Sequence, residues 1–471
     1  MKTSSGLYTD FYELTMAQGY LKAGKAHQKA TFDYFFRSNP FGGSFTVFAG
    51  LPELLEMVTN LHFSDDDLQY LQKQGFDNDF LDYLQDFSFS GTIEAPPEGT
   101  LLFPNEPAIR AEGDLAEVQI LETLLLNIIN FQSLIATKAA RIRIAAGPDK
   151  KLIDFGLRRS QGYGGLYASR AAIAGGFDAT SNVLAGKQYN IPVTGTMAHS
   201  WIQSFDSELE AFREYARHYP NACIILVDTY DTLKKGIPDA IKIARELEEN
   251  GHKLLGIRLD SGDLMELSIE ARKMLDEAGL DYVKIAVSNQ MDEYIIKDLT
   301  DNNAPVDVFG VGTRLVTAKE DPALDGVYKL ANINGRPNLK LSETKEKITL
   351  PGRKKIARYL NESHQFVCDV VMIENESPDE QQVVYSIDGQ KFENDFDSFS
   401  MLRSKQISNG SVNKQLTNVT ESVNRLNSQL KQLPAAYKKL GEKHLYPVYI
   451  SEKLNNLREE LIEHITQKHT V

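Results

Sequence analysis

The sequence predicts a parallel α/β architecture: an irregular, TIM-like barrel preceded by an N-terminal α/β domain of short strands and helices and followed by a C-terminal extension. Three observations predict it. Between Lys151 and Leu330 short β-branched runs alternate with amphipathic segments, which is the rhythm of βαβ units. The strand-like runs are continuously apolar rather than alternating, as in strands covered on both faces. Polar residues and glycines crowd the C-terminal end of nearly every run: Asp154/Arg158, Thr196/His199, Asp228/Asp231, Arg258/Asp260, Ser288/Asn289 and Gly312/Thr313. Strand C-termini form the active face of a parallel barrel. An open doubly wound sheet gathers its ligand at one switch point, whereas six strand ends contribute here.

A chain of 471 residues exceeds what one hydrophobic core usually serves, and three segments are expected: residues 1–135, 136–340 and 341–471, part of the last packing back on the first. In the first, TFDYFFRSNPFGGSFTVFAGL alternates aromatic and polar residues around Pro40-Phe41-Gly42-Gly43, which predicts a hairpin. FSGTIEAPPEGTLLFPNEPAIRAEG reads as short strands broken by prolines, and DLAEVQILETLLLNIINFQSLIATKAARIRIAA as one or two buried helices leading onward. The barrel strands are KLIDFG, NIPVTGT, ACIILVDT, KLLGIRLD, YVKIAVSN and VDVFGVGT. The C-terminal region holds short strands in ANINGRPNLKLSET and QFVCDVVMIENE, and a helix in SEKLNNLREELIEHITQ.

Composition narrows the function classes. The hydrophobic share of 42% and charged share of 25% are those of a water-soluble globular protein. A formal charge of -14 argues against generic nucleic-acid binding, which needs surplus Lys and Arg. The longest basic stretch, Arg353-Lys354-Lys355, reads as a solvated turn. Cys223 and Cys368 lie far apart in apolar surroundings, as buried thiols rather than a bridge or metal set. The N-terminus lacks a secretory signal, and nowhere do about 18 consecutive apolar residues occur, so cytoplasm is the expected location and no membrane the expectation.

Four segments can carry chemistry. Lys151-Leu152-Ile153-Asp154-Phe155-Gly156-Leu157-Arg158-Arg159 ends a strand in an acid, an aromatic, a glycine and two arginines. Arginine's planar fork binds phosphate or carboxylate bidentately, and Phe155 can stack on a flat heterocycle; a surface salt bridge is the plainer reading. Gly195-Thr196-Met197-Ala198-His199-Ser200-Trp201 sets a histidine among small residues that let backbone approach a ligand. An imidazole there can accept a phosphoryl group or act as acid or base. Arg258-Leu259-Asp260-Ser261-Gly262-Asp263 suits a phosphorylated sugar: Asp260 or Asp263 can hold ribose hydroxyls or Mg²⁺, which needs only one or two carboxylates beside phosphate oxygens. The alternative is an Asx-type turn capping the next helix. Phe309-Gly310-Val311-Gly312-Thr313-Arg314 offers backbone N–H groups late in the barrel, where phosphate is often cradled.

At these residues the chain resembles the nicotinate phosphoribosyltransferase family, one of the type II phosphoribosyltransferases, from Tyr8 to about Lys340. The segments that carry the resemblance are TDFYELTMAQGY, DFGLRRSQG, GTMAHSW, VDTYDT, RLDSGDL, SNQMDE, GVGTRLVT and PALDGVYKL. The resemblance implies condensation of nicotinate with 5-phosphoribosyl 1-diphosphate to nicotinate mononucleotide and diphosphate, with ATP as co-substrate and Mg²⁺ as cofactor, in NAD salvage. It implies that His199 is phosphorylated by ATP, and that Tyr12 and Phe155 sandwich the pyridine ring, with Tyr12 arriving from the partner subunit of a homodimer. Arg158, Arg258, Asp260, Gly312 and Thr313 match positions that hold the phosphoribosyl group, and Thr196 sits against the nicotinate. Ser181 stands where nicotinamide-using relatives carry an aspartate; a serine can donate to a carboxylate that an aspartate would repel. Archaeal members can carry a cysteine-ligated zinc, which two distant cysteines cannot build.

Three rivals remain at this level. A sugar-phosphate enzyme working by Schiff base needs a lysine at a strand end, and none of the six offers one. A nicotinamide-using transferase shares the scaffold, and so does a non-catalytic regulator that binds the same ligands without turnover.

Overall fold

The computed structural model describes residues 5–342, 348–393, 398–413 and 418–469. Two compact units emerge, one of Met1–Leu134 with Ala323–Val471 and the other of Ile135–Pro322. The helix Glu122–Ala146 carries the chain from the first to the second. With the helix Leu115–Ile120 before it, this stretch is long and apolar enough to cross a membrane by length and composition. It is a core helix instead: Leu124, Leu125, Ile128, Ile129, Leu134 and Ile135 are all buried.

The second unit is built on six parallel strands in the order Ala179–Thr180, Lys151–Asp154, Val308–Val311, Lys284–Val287, Gly256–Leu259, Ile224–Leu226. Alternate residues explain the apolar runs. Leu152, Ile225, Ile257, Leu259, Ile285, Val287, Phe309 and Val311 are at most 1% exposed, while Ile153, Arg258 and Ala286, pointing the other way, keep partial exposure. The intervening helices start where side chains cap them: Asn182, Ser207, Asp263 and Asp292 each accept from backbone N–H groups in the first turn.

Two expectations are corrected here, and one strand was not foreseen. The ladder does not close into a barrel: among the described residues no hydrogen-bonded pairing joins Ile224–Leu226 to Ala179–Thr180. The predicted strand NIPVTGT contributes only an isolated bridge from Val193 to Thr180, and Pro192 within it has no N–H to give a ladder. The two-residue strand Ala179–Thr180 takes the edge beside Lys151–Asp154; it is too short for any pattern in sequence to mark.

In the first unit, Lys29–Phe36 pairs antiparallel with Ile109–Asp114 on one side and with Gly326–Ile333 on the other. No hairpin forms at Pro40–Gly42, which is a short 3₁₀ turn with Phe41 at φ 60°. The aromatic strand spends both edges on distant partners instead. Residues 326–340, grouped from sequence with the barrel, thus belong to this unit, Gly326–Ile333 and Arg336–Pro337 as strands of its seven-stranded sheet. A second, six-stranded sheet contains Lys354–Leu360, Phe366–Ile373 and Val448–Ser451, backed by the helix Glu452–His469. Residues 343–344, at the end of one predicted strand run, lie outside the described residues.

Candidate active site

The polar residues at the strand ends meet through Arg258. Its Nε donates to the Ser288 hydroxyl at 2.9 Å, one terminal nitrogen to the Thr196 hydroxyl at 2.9 Å and the Met197 carbonyl at 3.3 Å, and the other to Asp260 Oδ1 at 3.1 Å. The Ser288 hydroxyl donates to that same Asp260 oxygen. Its guanidinium carbon lies 5.4 Å from the centroid of the Phe155 ring, within the reach of a cation–π contact. One arginine therefore ties together the ends of four separate chain segments.

Asp228 extends the network to the histidine. Its side chain is 1% exposed. Oδ2 accepts the Asp260 N–H at 2.8 Å and the Ser261 hydroxyl at 2.6 Å, and Oδ1 lies 3.3 Å from His199 Nε2. This pairing leaves Nδ1 as the imidazole nitrogen available to a ligand. His199 opens the short helix His199–Gln203, which Trp201 anchors by donating its indole N–H to the Ala211 carbonyl at 3.0 Å and packing on Phe205 and Tyr215. Together, His199–Asp228 and Arg258–Thr196 join the segment after Val193 to the ends of Ile224–Leu226 and Gly256–Leu259.

Asp154 shapes the turn that presents Phe155. Fully buried, it accepts from the Gly156 N–H at 2.8 Å and the Thr180 hydroxyl at 2.7 Å, and burial raises its pKa. The Phe155 ring lies where a side chain at Gly310 would otherwise stand: a Cβ there would meet the ring at 2.5 Å. We expect Gly310→Ala to push the ring out of place at about 1–3 kcal/mol of overpacking. The denaturation midpoint should fall with the far-ultraviolet circular dichroism unchanged; thermal unfolding of the purified variant checks it.

The other sequence-predicted residues fall as follows. Ser181 donates its N–H to the Asp154 carbonyl at 2.8 Å and is half-buried. Gly312 precedes the short helix Thr313–Val316 and lies against the Phe155 carbonyl, and Arg314 in that helix pairs with Glu320. Arg158 sits exposed on the turn Leu157–Arg159 and has no side-chain partner among the described residues, so no contact links it to Arg258 or His199. Asp263 takes the capping reading: its Oδ1 accepts from Met265 and Glu266 N–H at 3.0 and 3.1 Å, which engages half of a proposed metal ligand. Tyr12 belongs to the first unit, on the helix Phe11–Lys22, and is 45% exposed. Sequence reasoning placed Asp228 and Ser288 at strand ends without assigning them a task; their position was legible, their partners were not.

Fold and site together define a parallel α/β protein whose strand ends gather guanidinium, hydroxyl, carboxylate and imidazole groups beside an aromatic face. Family models of nicotinate phosphoribosyltransferase match the N-terminal domain over residues 7–130, the family region over 150–370 and the C-terminal domain over 353–458. A relative named nicotinate phosphoribosyltransferase from Bacillus subtilis is 45% identical across 80% of this chain and 78% of its own. One of the same name from Bos taurus is 36% identical across 97% and 96%. The crystal structure of human nicotinic acid phosphoribosyltransferase superposes with a TM-score of 0.88 at 33% identity, covering 96% of this chain and 99% of that one. The chain belongs to the nicotinate phosphoribosyltransferase family.

Proposed function

We propose that the chain condenses nicotinate with 5-phosphoribosyl 1-diphosphate to give nicotinate mononucleotide and diphosphate, and couples this to ATP hydrolysis through His199. The observation that carries the reading is the Arg258 hub, which meets Phe155 on one side and is joined through Asp260 and Asp228 to His199 on the other. In the transfer, the bond from ribose C1 to diphosphate breaks with its electron pair leaving on the diphosphate, and the pyridine nitrogen lone pair forms the new bond to C1. No proton moves at the ring nitrogen. The protein's task is therefore to position the ring and to meet the charge of the departing group. Arg258 and the Gly312-Thr313 turn serve the phosphoribosyl group, with exposed Arg158 reaching it from the adjacent turn. Phe155 and Tyr12 take the two faces of the pyridine, Thr196 its edge, and the Ser181 hydroxyl its carboxylate.

His199 forms the second half of the cycle. With Nε2–H directed at Asp228, Nδ1 holds the lone pair that attacks the γ-phosphorus of ATP. A P–N bond forms, the P–O bond to ADP breaks, and the Asp228 carboxylate balances the positive ring. Asp260 keeps Oδ2 free of the Arg258 and Ser288 bonds and Asp263 its Oδ2 free of the cap, so this donor set fits Mg²⁺, which neutralises diphosphate when bound. The active form is read as a homodimer whose partner supplies Tyr12.

The deciding assay incubates the purified chain with nicotinate or, separately, nicotinamide, with 5-phosphoribosyl 1-diphosphate and Mg²⁺, with and without ATP. Nicotinate mononucleotide formed faster with ATP, and little product from nicotinamide, is the expected result. Binding of nicotinate without turnover would favour a regulator, and preference for the amide would overturn the Ser181 assignment.

A further inference from the structure

The neighbouring parallel strands Lys284–Val287 and Val308–Val311 both run into the candidate site, the first through Ser288 and the second through Gly312-Thr313. The loops that follow them bend against their preference. Asn289 and Gln290 stand at φ 85° and 52°, and buried Ala318, which closes the turn after the helix Thr313–Val316, stands at φ 44°. Left-handed backbone is uncommon outside glycine, and it persists where the surrounding structure over-determines it.

Behind these loops runs a chain of alternating charges. Arg314 donates to Glu320 Oε1 at 2.5 Å, and Glu320 Oε2 accepts from Lys138 Nζ at 2.7 Å. Lys138 also lies 2.7 Å from Glu293 Oε2, while Glu293 Oε1 accepts from Arg141 Nε at 2.9 Å. The Arg314 nitrogen that meets Glu320 is 3.8 Å from Asp292 Oδ2 as well. Asp292 and Glu293 follow the left-handed pair directly and begin the helix Glu293–Asp301, Arg314 and Glu320 flank Ala318, and Lys138 and Arg141 share one face of the helix Glu122–Ala146. The two loops are thus pinned to a single helix and to each other.

Stability alone does not account for such a chain. The side chains of Lys138 and Glu293 are wholly buried and that of Arg141 nearly so. Stripping water from ions costs about what their attraction returns, and apolar side chains of like volume hold such a place as well or better. What ions add is direction, since charge-assisted hydrogen bonds fix geometry as well as energy. Burial works against the charge of Glu320, but hydrogen bonds from Lys138 and Arg314 pull its carboxyl down to about 2, so this link stays ionised at neutral pH.

We propose that Glu320 is a positioning residue for the phosphoribosyl group: joined to Arg314 and Lys138, it holds the Gly312-Thr313 turn and the Ser288 loop in the form that receives phosphate. The proposal rests on the reading of Gly312 and Thr313 as phosphoribosyl contacts. Its sign separates it from charge alone. Glu320 is an anion on a segment that serves an anion, so by electrostatics its neutralisation would tighten binding. An Arg314 released to bind phosphate directly would tighten it too. Positioning predicts the reverse.

The test is titration calorimetry of 5-phosphoribosyl 1-diphosphate into the full-length protein, with Mg²⁺ and without nicotinate, for the wild type and Glu320→Gln. Glutamine keeps the side-chain length, yet its single carbonyl oxygen can serve one of the two cations while its NH₂ turns toward the other. The side chain is 32% exposed, so the substitution disturbs no core packing. The Kd should rise about threefold or more, with kcat at saturating substrates within about twofold of the wild type. Arg314→Gln should weaken binding as well, and the double variant should bind no worse than the weaker single one, because both break the same link. A Kd that is unchanged or lower in Glu320→Gln, or single effects that multiply in the double variant, overturns the proposal. So does a loss of kcat as large as the loss of affinity, the mark of general loosening. Gly312→Val separates the causes: outside its own turn a Cβ there meets only the Phe155 carbonyl, at 3.2 Å, among the described residues, so the valine fills the turn itself. If Gly312→Val weakens binding and Glu320→Gln does not, only the positioning role is refuted; if Gly312→Val leaves the Kd unchanged, the phosphoribosyl reading of the turn falls and the positioning role with it.

Discussion

Arg258→Ala is expected to lower kcat/KM for 5-phosphoribosyl 1-diphosphate by about 100-fold or more, the scale of removing one preorganised donor from a site where charge develops. The side chain is only 13% exposed and makes four polar contacts besides the one with Phe155. Its loss leaves Asp260 facing Ser288 without a counter-charge and frees the Thr196 segment from the strand beside it. The damage should be local. Arg258 points to the open face of the sheet, and the apolar residues on either side of it, Ile257 and Leu259, are untouched. Initial-rate kinetics with each substrate varied, together with a thermal unfolding scan, check the prediction. A kcat/KM for 5-phosphoribosyl 1-diphosphate equal to that of the wild type would remove Arg258 from the site.

His199→Asn should leave basal transfer in place and abolish its stimulation by ATP. Asparagine offers no ring nitrogen to accept a phosphoryl group, yet it retains a donor that can face Asp228. Acid-labile ³²P from γ-labelled ATP should enter the wild type and not the variant, and the ATP-dependent part of the rate should vanish with it. Equal labelling of the two proteins would overturn the assignment. The pairing of Nε2 with Asp228 sharpens this expectation: Asp228→Asn keeps the nucleophilic ring but removes the charge that balances the phosphorylated imidazole.

Much of this site was legible in the sequence because strand C-termini are recognisable as apolar runs ending in polar residues. Arg258, Asp260 and Phe155 follow from that rule, whereas Thr196 and His199 follow a run that forms only an isolated bridge; the contact from Arg258 to Thr196 spans 62 positions. What the sequence withheld depends on closure in space. Ser288 and Asp228 look like any polar residue after a strand until Arg258 and His199 are brought against them. Asp263 matched two patterns, ligand and cap, and helix geometry engages it as a cap. The hairpin expected at Pro40-Phe41-Gly42-Gly43 failed for a similar reason: alternation in Lys29–Phe36 is real, but its partners lie about 80 and 300 residues away, a distance no local signal encodes.

That long return has a bearing on how the molecule is made. On a ribosome, the strand Lys29–Phe36 emerges early and can acquire Ile109–Asp114 soon after, but its other flank waits for Gly326–Ile333. Until then a long aromatic edge stands unpaired, the kind of surface on which nascent chains associate wrongly. The unit of residues 135–322 is contiguous and can assemble during that wait, whereas buried Arg110, paired with Glu94 and Glu112, gains its third acid, Glu374, only when translation is four-fifths complete. A nascent chain stalled shortly before residue 326 would therefore expose this flank and serve as a natural client for a holding chaperone.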